Sequence, residues 1–125
     1  MSLAETPSAL LDELLPLCHQ ALEAAERFRG AAREAVAALV RRDDGRIDAG
    51  RLEANQYAAH GFSWLATYVE ALAQILGWAE RLESDGRLGE LERLILQLVF
   101  GEYLAQLSGG IAMSQGEVVR PADLG

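Results

Sequence analysis

The chain has 125 residues, 50% hydrophobic and 24% charged, with a formal net charge of −8. That length suits one domain able to bury roughly two thirds of its unfolded surface. The acidic balance disfavours nucleic acid and anionic membrane surfaces, which both need clustered Lys and Arg. Cys18 is alone, so no internal disulfide can form, and no run of about 18 apolar residues offers a membrane span. The opening MSLAETPSALLDELL has no basic segment ahead of its apolar residues, so it does not read as a secretory signal. Cytoplasm is the expected location. Abundant Ala and Leu, few aromatics, and Gly and Pro placed mostly between periodic runs favour packed helices.

In chain order, residues 1–5 are expected to be disordered, and Thr6 followed by Pro7 marks a helix start. Leu11, Leu15, Cys18, Leu22, Ala25, Phe28, Ala32, Val36 and Leu39 recur at three- and four-residue steps, giving a first helix over 6–42. Pro16 lies inside this pattern and should kink the helix or mark a new start. Arg41 and Arg42 suit the negative end of the helix dipole before Asp43-Asp44-Gly45 ends the run.

Asp48 is a plausible cap for a second helix over 48–84, with a main stripe from Leu52 through Phe62, Leu65, Val69, Leu72 and Leu76 to Ala79. Trp64, Tyr68, Ile75 and Trp78 widen that stripe beyond the needs of one neighbour, which marks a partner surface. Gly61 and Gly77 interrupt good helix formers and are expected where another helix crosses closely. Ser84-Asp85-Gly86 is a turn. A third helix over 88–108 should turn Leu91, Leu94, Ile95, Leu98, Val99, Tyr103 and Leu107 inward, and Gly109-Gly110 closes it. An irregular tail over 109–125 follows. The fold class is all-α, an antiparallel bundle of three main helices.

Most site chemistry is missing from the pattern. Neither His19 nor His60 has a Glu three residues before it, as a di-iron bundle requires. Cys18 and His19 are adjacent on a helix and point about 100° apart, wrong for a nucleophile and its base. His60, beside Tyr57 and Trp64, reads as a partly buried structural histidine. Glu80, Glu83, Glu90 and Glu92, interleaved with Arg81, Arg87 and Arg93, read as a solvated face. No metal site is expected.

One segment carries a resemblance. From Leu52 to Arg120 the chain resembles the C-terminal helical domain of the flavin-dependent acyl-CoA dehydrogenases. That domain has a long helix, an Asp-Gly-Arg turn, and a further helix ending in Gln-Leu-x-Gly-Gly-x-Gly-Tyr with an Arg downstream. Here Asp85-Gly86-Arg87, Gln106-Leu107-Ser108-Gly109-Gly110 and Arg120 stand in those places. The resemblance implies that Gln106, Gly109 and Gly110 are cofactor-binding residues, set against the FAD of a neighbouring subunit. Ala112-Met113 replace the family's Gly-Tyr, which favours the other reading of the glycine pair, a helix end. The family's remaining domains and catalytic glutamate have no counterpart, so the resemblance places FAD in a parent enzyme and implies no cofactor and no activity for this chain alone.

The runs Arg51-Leu52-Glu53-Ala54-Asn55-Gln56, Trp64 to Leu72, and Met113-Ser114-Gln115-Gly116-Glu117 resemble the helical extension that precedes the catalytic body in the methylsuccinyl-CoA dehydrogenases of that family. This implies an accessory, non-catalytic N-terminal domain for subunit or domain packing. Its partner would be the dehydrogenase body or a second copy in a homo-oligomer. The competing reading is a stand-alone, self-associating helical module with no link to flavin chemistry.

Overall fold

The computed structural model describes residues 8–114 and 116–125, without the side chain of Ser114. The expected helix start at Thr6-Pro7, the 1–5 segment and Gln115 lie outside the described residues. Among the described residues four helices follow one another: α1 (Leu14–Val40), α2 (Ala49–Ala54), α3 (Gln56–Ser84) and α4 (Glu90–Gly109). An antiparallel hairpin of β1 (Ile111–Ser114) and β2 (Glu117–Val119) comes next, then a single 3-10 turn over Pro121–Leu124. The architecture is the expected all-α bundle. The central helix is α3, which packs against α1, α4 and the C-terminal segment.

The first helix starts later than its periodicity suggests. Glu13 takes a left-handed conformation, φ 54°, and the helix opens at Leu14. Pro16 is therefore the third helical residue, where its missing N–H has no intrahelical partner to lose. Of the two outcomes expected at Pro16, a kink or a new start, the helix shows the new start. Leu14, Cys18, Ala25, Ala32, Val36 and Val40 form the buried face, and Leu11, outside the helix, is exposed. The helix stops at Val40, because Arg41 turns into a bridge with Ile47 across a tight loop at Gly45, φ 82°.

The second expected helix is interrupted. Asp48 caps α2 by accepting the Arg51 N–H at 2.8 Å. At Asn55 the backbone leaves the helical range (φ −120°, ψ 28°). Its side-chain amide donates to the Arg51 carbonyl at 2.8 Å, competing with the helix ladder as short polar side chains do. From Gln56 the helix runs unbroken for 29 residues, about 44 Å at 1.5 Å per residue. Leu65, Val69, Leu72, Leu76 and Ala79 are its buried stripe, and Trp64, Tyr68, Ile75 and Trp78 pack against the core as partly buried residues. The α3 aromatics thus do not form the open face their spacing suggested. At the far end the Gly86 N–H bonds the Glu83 carbonyl (3.0 Å) and the Arg87 N–H bonds that of Leu82 (2.7 Å). With Gly86 at φ 68°, this is a Schellman turn.

The inward face of α4 is also corrected. Leu96, Phe100 and Leu107 are buried, while Leu91 and Leu98 are 66% and 65% exposed and Ile95 also faces out. Apolar residues encircle this helix, so their spacing alone does not fix which side meets the core. In the tail over 109–125 most of the described residues fall in the hairpin and the 3-10 turn, rather than in an irregular run. Ile111 pairs with Val119 and Ala112 with Val118, and Ile111, Val119 and Leu124 are buried. Three short apolar anchors close that end of the bundle.

Candidate functional site

The residues singled out by resemblance sit where α4 ends and the hairpin folds back on α3. Gly109 is the last residue of α4. Gly110 leaves it at φ 130°, ψ 136°, backbone that side chains with a Cβ rarely adopt. Its N–H donates to the Gln106 carbonyl at 2.8 Å. A Cβ at Gly110 would stand 2.6 Å from Val118 Cγ1 and 3.2 Å from Arg120 Cγ, whereas one at Gly109 would meet nothing within 4 Å. Gly110 is thus the point where the chain reverses against its own hairpin.

Gln106 is used inside the fold. Its Oε1 accepts the Tyr68 hydroxyl at 2.8 Å, tying α4 to α3. Tyr68 stacks on Tyr103 with ring centroids 4.5 Å apart and planes 19° from parallel. Burial, and then the neighbouring Tyr103, push the Tyr68 hydroxyl above its ordinary pKa. The four-residue steps from His60 through Trp64 to Tyr68 continue the aromatic row along α3 as edge-on pairs, each with centroids 6.4 Å apart. His60 is exposed, contrary to expectation, and accepts the Trp64 indole N–H at 3.2 Å.

The hairpin is held by α3 in two places. The Tyr57 hydroxyl donates to the Val118 carbonyl. Gly61 is buried beneath Val119, and a Cβ there would lie 2.3 Å from Val119 Cγ2. The close crossing anticipated at Gly61 is therefore made by a strand, not by a helix. A Cβ at Gly77 would meet only the side chain of Arg81, in its own helix, at 3.4 Å, so Gly77 marks no crossing. Arg120 closes the segment, its N–H donating to Asp123 Oδ2 at 2.8 Å.

As placed, Gln106 and Gly110 face partners within the chain and Gly109 alone borders open space. Among the described residues no group of three or more His, Cys, Asp or Glu could hold a metal ion. No helix among the described residues is long and apolar enough to cross a membrane. Cys18 is buried, and burial pushes its thiol up to about 11. The His19–Glu80 and Arg42–Asp44 pairs lie at the surface, and the Arg42 side chain holds the Asp44 carboxyl below its usual range.

Comparison with known proteins supplies what the geometry does not. Over 120 residues, 96% of the chain, the sequence is 52% identical to the (2S)-methylsuccinyl-CoA dehydrogenase of Cereibacter sphaeroides. This chain is a homologue of part of an acyl-CoA dehydrogenase. The match spans 22% of that protein's length. No protein-family model matches. Neither the hairpin nor the Gly61–Val119 contact emerged from helical periodicity. Alternation of Ile111 and Met113, with Gly116 as a turn, was the available signal.

Proposed function

We propose that this chain is an accessory, non-catalytic helical domain of a flavin-dependent acyl-CoA dehydrogenase acting on methylsuccinyl-CoA, placed ahead of the catalytic body in the cytoplasm. The observation that carries this reading is 52% identity sustained over 96% of the chain, which ties the whole bundle to one such enzyme. Oxidation of an acyl-CoA needs a flavin and a base set against the acyl carbon. In the site that the resemblance nominates, Gln106 holds Tyr68 and Gly110 turns under Val118, so both residues serve the fold. The role left to the domain is packing on the enzyme body. Expression of the full reading frame that contains this segment tests the proposal. The long polypeptide should carry FAD and oxidise methylsuccinyl-CoA with an electron acceptor, and residues 1–125 alone should not. Turnover by the isolated segment, or a reading frame without a dehydrogenase body, overturns it.

A further inference from the structure

Both α1 and α4 lie on α3, and among the described residues the seam between them stays open along much of its length. Two apolar grooves of about 340 and 550 Å3 occupy the seam, and they share Ala21 and Leu104, which makes them one trough. Its α1 wall runs from Leu17 through Ala21 and Ala24 to Phe28, about 17 Å or three helical turns. Ala21, Ala24 and Gly101 are small, so a helix laid there can bring its backbone close. Two polar side chains line the trough, Ser108 and Gln97, and Gln97 is already satisfied: Oε1 accepts the Leu11 N–H at 2.8 Å and Nε2 donates to the Ala9 carbonyl at 2.9 Å. Leu98, 65% exposed, stands at the adjoining edge of α4. A three-helix arrangement with a mostly apolar trough of this shape lacks one helix of a four-helix bundle.

We infer that the trough holds an amphipathic helix from the part of the dehydrogenase polypeptide outside these 125 residues, with an apolar face inward and Lys or Arg along its edges. The inference rests on the accessory-domain reading above and names the surface through which that domain docks. Two observations choose the occupant. The match spans only 22% of its relative, so most of that polypeptide lies elsewhere and is tethered close by, at high effective concentration. A second copy of this segment is the poorer occupant, because each carries a net charge of −8 and the two would repel. A basic-edged helix is attracted by the same charge.

Photo-crosslinking in the full polypeptide tests this. A benzoylphenylalanine is placed at Ala24 or Leu98, with Glu34, exposed on α1 outside the trough, as control. The captured peptides are mapped by mass spectrometry, and FAD content and methylsuccinyl-CoA oxidation are measured on the same preparations. Positions 24 and 98 should both capture one peptide from outside residues 1–125, with apolar residues at three- and four-residue spacing and flanking Lys or Arg. The control should not capture it. Capture of residues 1–125 of a second copy, capture of a peptide without that pattern, or yields at 24 and 98 no higher than the control overturn the inference. A polypeptide without flavin or activity defeats the accessory-domain reading independently. An active enzyme with no such capture defeats the trough assignment alone.

Discussion

The two adjacent glycines at the end of α4 should respond oppositely to the same substitution. Gly110→Ala forces a Cβ onto backbone at φ 130°, a strain of about 1–3 kcal/mol. It also drives that Cβ to 2.6 Å from Val118 Cγ1, an overpacking worth about 1–3 kcal/mol more. The combined loss, about 2–6 kcal/mol, is a large share of the roughly 5–15 kcal/mol that holds a domain folded. Gly109→Ala meets nothing within 4 Å and has helical backbone, so the better helix former should stabilise by up to about 1 kcal/mol. Urea unfolding followed by far-ultraviolet circular dichroism measures both. With a slope of about 1.5 kcal/mol/M, a 3 kcal/mol loss lowers the midpoint by about 2 M, and Gly109→Ala should leave it unchanged or raise it. Equal losses at the two positions, or a Gly110→Ala midpoint within about 0.3 M of the parent, would show that the reversal at Gly110 is not the constraint argued above.

Three further outcomes are expected. Gly61→Ala should destabilise by about 1–3 kcal/mol, and Val119→Ala in the same chain should recover part of that loss; a double-mutant cycle with no coupling refutes the contact. Tyr68→Phe and Gln106→Ala should each cost about 0.5–1.5 kcal/mol through the lost hydrogen bond, and Gln106→Ala should leave the FAD content of the full enzyme unchanged; loss of flavin without loss of stability would restore the cofactor role. Cys18 should resist thiol reagents in the folded chain. Because its folded pKa, about 11, lies above the ordinary 9.0, the stability it contributes is complete below pH 9 and declines as pH rises from 9 towards 11. An unchanged unfolding midpoint across that window in the parent, relative to Cys18→Ala, argues against this.

How much of this was legible depended on how one-sided each helix is. Along α3 the residues Leu65, Val69, Leu72 and Leu76 leave little choice of face, and the stripe read from spacing is the one buried. In α4 the Leu91, Ile95 and Leu98 set and the Leu96, Phe100 and Leu107 set both follow helical steps. Only the neighbouring elements decide between them, and the chain buries the second. The breaks at Glu13 and Asn55 arise from backbone conformations at single residues, which periodicity averages away. The hairpin eluded the same reading because its strands are three and four residues long, too short for alternation to stand out. At the nominated site, the motif drew attention to Gln106 and Gly110, but their partners, Tyr68 and Val118, come from other elements and are invisible in a local motif.

The seating of Val119 over Gly61 makes the order of evolutionary change matter. A lineage that first gains a methyl at position 61 passes through an intermediate with two carbons 2.3 Å apart. One that first trims Val119 passes through a small void, at about 1–2 kcal/mol, which a typical stability margin tolerates. The second route is the less costly, because the overpacked intermediate of the first loses about 1–3 kcal/mol. Descendants with alanine or serine at position 61 should therefore carry a smaller residue at position 119, while those with glycine at 61 remain free to keep valine there. The two sites, distant in sequence, should behave as one inherited character.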